Sequence, residues 1–152
     1  MRTIGIRVAP RAVTFVIYNT EENEIVSVDS IKVPKALEVP DSLKFVRNTL
    51  LDVIREYGVE KAGVRITESN SRTISHERIQ MEGVIQEAFA SSPIAAYYCG
   101  RIATISKYLG FSSKDFGKYV SGELELDCVE DWKSHNKEER EAILTALGAA
   151  NA

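Results

Sequence analysis

The chain is 152 residues long, 44% apolar and 27% charged, with a formal net charge of −3. That is the size of one ordinary domain, which buries roughly two-thirds of the surface its unfolded chain exposes, so a full core is within reach. No apolar run approaches the ~20 residues a membrane span needs, and the negative balance argues against a generally basic nucleic-acid coat, leaving at most one basic patch on an acidic domain.

Met1-Arg2-Thr3-Ile4-Gly5 moves directly into a strand and lacks the apolar core and small-residue cleavage pattern of a signal peptide, so a cytoplasmic protein is expected. Residues 3–9, 12–19 and 24–33 alternate or run apolar with β-branched enrichment, broken by Pro10-Arg11 and by the polar stretch Asn19–Asn23. They predict a three-stranded antiparallel meander. Pro34 and Pro40 bracket a loop, after which Asp41 or Ser42 can cap a helix whose apolar residues Leu43, Val46, Leu50, Val53, Ile54 and Tyr57 fall at helical spacing before Gly58 stops it. A fourth strand follows at about 61–66, a second helix over 72–90, and a short fifth strand over 93–98. A third helix over roughly 101–109 ends at Gly110, and a segment without clear periodicity runs on to Val120. The acidic stretch Glu123–Asp131 reads as an edge strand or a loop, a solvated face and not a calcium site, because it lacks the spacing and turn glycine of a calcium loop. The last helix begins at Asn136, with Glu139 in the reciprocal capping-box position, and runs to about Ala150. No linker divides the chain, so residues 1–152 are expected to form a single domain.

One short pattern occurs twice, Gly5-Ile6-Arg7-Val8 in the first strand and Gly63-Val64-Arg65-Ile66 in the fourth. Side chains alternate across a strand, so each glycine shares a face with its arginine. If the two strands are neighbours, the guanidinium groups meet at the C-terminal edge of the sheet, where open α/β sheets usually place their sites. Other chemistry is sparse. Cys99 and Cys128 have no C-x-x-C partner and read as reduced, buried thiols; only His76 and His135 could complete a zinc set with them. No phosphate-cradling or dinucleotide-binding glycine loop is present, and no cofactor is expected.

Three antiparallel strands, then alternating helices and parallel strands, then a terminal helix, form the order of elements in the ribonuclease-H-like fold, a mixed five-stranded sheet flanked by helices. The details resemble the branch that contains the RuvC-type Holliday-junction resolvases. That family opens with Ile-Gly-Ile-Asp-Pro-Gly, which Ile4-Gly5-Ile6-Arg7-Val8-Ala9 resembles except at the catalytic aspartate. Counting back from Gln80-Met81-Glu82-Gly83-Val84, which is similar to the family's Gln-x-x-Gly-Val, puts the family's fourth-strand glutamate at or beside Arg65, with Glu68 three residues later. Ile105-Ser106-Lys107, Gly110, Lys114 or Lys118, and Val120 resemble the family's basic segment, and Glu138, Glu141 and Ala142 stand where it has Asp-x-x-Asp-Ala.

The resemblance implies a two-metal phosphodiester site in the family, which Arg7 and Arg65 would disrupt. Arginine offers no lone pair to a metal and does not deprotonate in proteins. One guanidinium about 5 Å from a divalent ion costs on the order of 6 kcal/mol at an effective dielectric of about 20. Three readings stay open. Arg7 and Arg65 pair with Glu138 and Glu141, giving a degenerate domain that serves as a binding or interaction module without catalytic residues or metal. Or they hold an anion such as a nucleic-acid phosphate, with Arg72, Arg78, Arg101, Lys107, Lys114 and Lys118 as further contacts and weak binding expected. Or Glu68, Glu138 and Glu141 together keep an active metal-dependent nuclease. A second copy of the chain is a further candidate partner, since the related resolvases dimerise.

Overall fold

The computed structural model describes residues 1–152. Strands β1 (Arg2–Ala9), β2 (Ala12–Asn19) and β3 (Glu24–Lys32) form the meander; α1 (Val39–Tyr57) leads to β4 (Lys61–Arg65), and α2 (His76–Ser91) leads to β5 (Ala96–Gly100). Helices α3 (Ile102–Leu109), α4 (Ser113–Ser121) and α5 (Lys137–Ala149) follow. The sheet order is β3-β2-β1-β4-β5, with β1, β2 and β3 antiparallel and β4 and β5 parallel to β1. This is the ribonuclease-H-like architecture that the order of elements implied.

Strand alternation divides the core into two layers. Ile4, Ile6 and Val8 of β1 and Ala62 and Val64 of β4 face α1 and α2, where Val46, Leu50, Ile54, Met81, Ile85 and Phe89 cover them. Thr3, Gly5 and Arg7, with Gly63 and Arg65, face the other way, toward α5 and its layer of Tyr98, Ile105, Phe116, Ala142, Ile143 and Ala146. Helix α5 lies directly on β1: a Cβ on Gly5 would meet the carbonyl of Ala142 and the amide of Ala146, and would sit 2.8 Å from the Ala146 Cα. Thr3 Oγ1 donates to the Ala146 carbonyl at 2.8 Å, and the buried Tyr98 hydroxyl donates to the Thr145 carbonyl at 2.9 Å, so the helix is also pinned in register.

Several boundaries differ from the sequence reading. Helix α1 starts at Val39, with Pro40 in its first turn and no side-chain cap, because proline is preorganised for that position and lacks only an N–H that would be unpaired anyway; neither Asp41 nor Ser42 caps it. Helix α2 starts at His76, capped by Ser75 accepting from the Arg78 amide, so residues 72–75 belong to a loop. Strand β5 is displaced to Ala96–Gly100, Pro93 being unable to donate to a ladder. The segment after Gly110 contains α4, capped by Ser112. The acidic stretch is irregular and forms no strand. The residues on either side of it are tied together by Arg140, which is buried and donates to the carbonyls of Val120 (2.9 Å), Lys133 (3.1 Å) and Trp132 (3.2 Å). The expected capping box of Asn136 and Glu139 is present at α5.

The close seat of α5 sets an expectation of opposite sign for two glycines. Gly5→Ala should lower the unfolding free energy by about 3 kcal/mol or more, because backbone atoms on both sides cannot yield. Gly83→Ala, in α2 with nothing within 4 Å of the new Cβ, should raise it by up to about 1 kcal/mol. Urea denaturation of both variants checks the pair.

Candidate functional site

At the C-terminal edge of the sheet, β1 and β4 run in parallel with Arg7 directly opposite Arg65. Between the two guanidinium groups stands Glu141 of α5. Arg7 Nε donates to Glu141 Oε2, and Arg65 Nε lies 3.4 Å from Glu141 Oε1, so one carboxylate spans both strands with one oxygen to each. The reach is possible because Gly5 and Ala142 bring α5 onto β1 just below, leaving no room for a longer bridge. The Arg7, Arg65 and Glu141 side chains are only 16%, 6% and 12% exposed, which makes the triad a nearly buried one.

Two further pairs extend it. Arg65 Nη2 lies 3.5 Å from Glu68 Oε1, and the same oxygen accepts the Ile102 amide at 2.8 Å, so Glu68 caps the start of α3. Arg78, in the first turn of α2, donates from Nε to Glu82 Oε2 at 2.8 Å. Glu82 in turn accepts from the Thr67 amide and hydroxyl, both at 2.9 Å, and so fastens the loop after β4 to α2. The cluster therefore holds Arg7, Arg65 and Arg78 against Glu68, Glu82 and Glu141, three charges of each sign.

Burial is the main electrostatic stress. It pushes the Arg65 guanidinium below the usual arginine range; Glu141 opposes this, Arg7 adds to it, and Glu68 opposes it. Arg78 is lowered in the same way, first by burial and then by Arg7, with Glu82 opposing. Both remain protonated, since arginine does not lose its proton in proteins. Two buried donors, Arg65 Nε and Arg78 Nη2, have no hydrogen-bond acceptor. Glu141 is thus within ion-pair range of Arg65 Nε without accepting from it, and Coulomb attraction, not a directed bond, holds that contact.

Of the sequence-predicted residues, Arg7, Arg65, Glu68 and Glu141 come together and Glu138 does not. Residues three apart on a helix differ by about 60° around the axis, and the first turn of α5 lies beside β2 and β3, away from β4. Glu138 is exposed there, in a surface hollow lined also by Thr14, Asp29 and Asn136. Arg78 belongs to the cluster and is not a free surface contact. Arg72 is exposed in the loop before α2, and Arg101, also exposed, donates to the Thr67 carbonyl at 3.2 Å. Lys107, Lys114 and Lys118 are exposed on α3 and α4, Lys118 lying 3.8 Å from Asp115. Glu82 escaped the sequence reading as a site residue, although an i, i+4 Arg78–Glu82 pair in which the glutamate adjoins the apolar Met81 and Ile85 was a usable sign of a buried charge.

The donor set does not suit a divalent ion. Arg7 and Arg65 supply no lone pair, Glu141 is engaged by both, and Glu68 is engaged by Arg65 and the α3 amide. No three His, Cys, Asp or Glu side chains lie close enough to share a metal.

No protein-family model matches the chain, and no curated protein sequence matches it. Solved structures do. The chain is similar to Thermus thermophilus RuvC, with a TM-score of 0.73 and 13% identity over 99% of this chain and 94% of that one. The same enzyme solved with a Holliday-junction substrate matches at 0.73 and 12% identity, with the same coverage. The fowlpox virus Holliday junction resolvase matches at 0.51 and 9% identity over 99% of this chain and 95% of that one. At such identities the likeness is one of fold.

Removing the shared carboxylate should expose how much the triad depends on it. Glu141→Ala leaves two nearly buried arginines facing each other and should cost about 3–5 kcal/mol, whereas Glu138→Ala should stay within about 0.5 kcal/mol of the parent. Equilibrium denaturation of the two variants measures both.

Proposed function

We propose that this chain is a RuvC-fold domain that binds nucleic acid weakly and does not cut it. The observation that carries the reading is the Arg7–Glu141–Arg65 triad at the ends of β1 and β4, where the family resemblance implies metal-holding carboxylates. Phosphodiester cleavage by paired metals needs oxygen ligands facing two cations, and at this edge two guanidinium groups already occupy the one carboxylate between the strands. The alternative, a nuclease built on Glu68, Glu138 and Glu141, loses support because Glu68 caps α3 and Glu138 stands apart in another hollow. The fold shared with a resolvase solved on a Holliday junction favours branched DNA as the first ligand to try. Binding should be weak and salt-sensitive, since acidic partners neutralise the clustered arginines and the whole chain carries a charge of −3.

Two partner and location statements belong to the same proposal. A second copy of the chain suits the outer side of α2, where Ile79 is 43% exposed and Gly83 stands in open space; sedimentation as a monomer at high concentration would remove it. No helix is long and apolar enough to cross a membrane. The two free thiols, Cys99 half-buried and Cys128 exposed where burial was expected, suit a reducing compartment, and on that ground we propose the cytoplasm.

The purified protein should leave branched DNA and RNA intact with magnesium or manganese. The double variant Arg7→Asp, Arg65→Glu should gain manganese affinity measurable by calorimetry, since it presents two new carboxylates to Glu141. Activity need not accompany binding, because two-metal catalysis demands tighter spacing than binding does. Tight manganese binding by the parent, abolished by Glu68→Ala, would instead support the nuclease. Titration of branched, single-stranded and duplex DNA at low salt tests the binding half.

A further inference from the structure

Gly117 stands in the middle of α4 with no reason inside the chain to be glycine. Its backbone is not left-handed, and a Cβ placed there meets nothing within 4 Å. Glycine in a helix interior is destabilising against alanine, so this residue weakens a nine-residue helix without improving any contact in the chain. The open space beside it is a groove of about 210 Å³ between α3, α4 and α5, walled by Ile102, Phe116 and Val120 and bounded by Lys137 and Glu141. Clefts for drug-sized ligands run to about 300–1,000 Å³; this one is sized for a single small ring system.

Its charges are also informative. The Glu141 carboxylate is engaged by Arg7 and Arg65, and the Arg65 guanidinium sits 5.6 Å from the Phe116 ring centroid, fixing that ring from the sheet side. Lys137 remains exposed at the rim, and Lys114, outside the lining but exposed three residues before Gly117, neighbours it on α4 by helical spacing. An apolar slot with a bare backbone floor, one cation at its rim and a second one helical turn from Gly117 matches a flat ring carried on an anionic chain.

We propose that the groove takes one unpaired base of a single-stranded nucleic acid, seated against Gly117 and Phe116, with its flanking phosphates on Lys114 and Lys137. The proposal deepens the nucleic-acid reading above and rests on it.

Fluorescence anisotropy at low salt would compare a single-stranded oligonucleotide with the same backbone made abasic. The parent protein should prefer the intact strand by about tenfold, the scale of one stacked base. Gly117→Leu, which fills the groove from an open position, should remove that preference while keeping the residual backbone affinity and melting no lower than the parent by circular dichroism. Gly117→Ala should melt higher than the parent and bind the intact strand less well. Equal affinity of the parent for both strands, or full preference retained by Gly117→Leu, would overturn the groove assignment and leave nucleic-acid binding standing. No binding of either strand would overturn both.

Discussion

One carboxylate, Glu141, faces two guanidinium groups on neighbouring strands, and the upper edge of the sheet is organised around it. Arg7 and Arg65 stand directly opposite each other in the β1–β4 register, and like charges so placed repel unless an anion lies between them. The anion must come from α5, which can reach only if its backbone rests on β1, and that in turn requires a residue without a Cβ at position 5. Gly5, Ala142 and Glu141 are therefore parts of one solution. The same charge logic continues outward: Glu68 answers Arg65 and caps α3, and Glu82 answers Arg78 and ties down the loop after β4. The loops at this edge are joined through matched side-chain charge.

Such a cluster need not add stability over an apolar filling of the same volume, because each buried ion loses its hydration. Its effect is on specification. Every member faces an opposite charge, Glu141 serving both Arg7 and Arg65 and Glu82 serving Arg78 within α2, so loss of one leaves an uncompensated charge in a nearly dry setting. The two donors without acceptors, Arg65 Nε and Arg78 Nη2, show that the fit is electrostatic first and directional second. A two-metal site draws its positive charge from bound cations and its negative charge from the protein; at this edge side chains carry both signs.

The sheet and the arginine pair were legible because both depend on a period of two. Gly5-x-Arg7 and Gly63-x-Arg65 need only strand alternation to share a face, and the alanines of α5 indicate close approach. Glu138 misled because helical spacing says which residues are near each other on the helix and not where the helix leaves the sheet. Arg78 and Glu82 were hidden since an i, i+4 pair reads as a solvated surface, and its burial depends on how Thr67 and its loop fold over it. Helix α4 lacked a clear signal because Gly117 lowers helix propensity in its centre. The displacement of β5 has a similar origin: Pro93–Tyr98 is apolar throughout, and only pairing with Lys61–Arg65 fixes which part becomes strand.

The central proposal, that the Arg7–Glu141–Arg65 triad stands in place of a metal site, is tested most directly by crystals grown in manganese and measured by anomalous diffraction. The account predicts Arg7 and Arg65 both turned onto Glu141 and no anomalous scatterer between β1, β4 and α5. A manganese ion liganded by Glu141, with either arginine swung out to solvent, would contradict it.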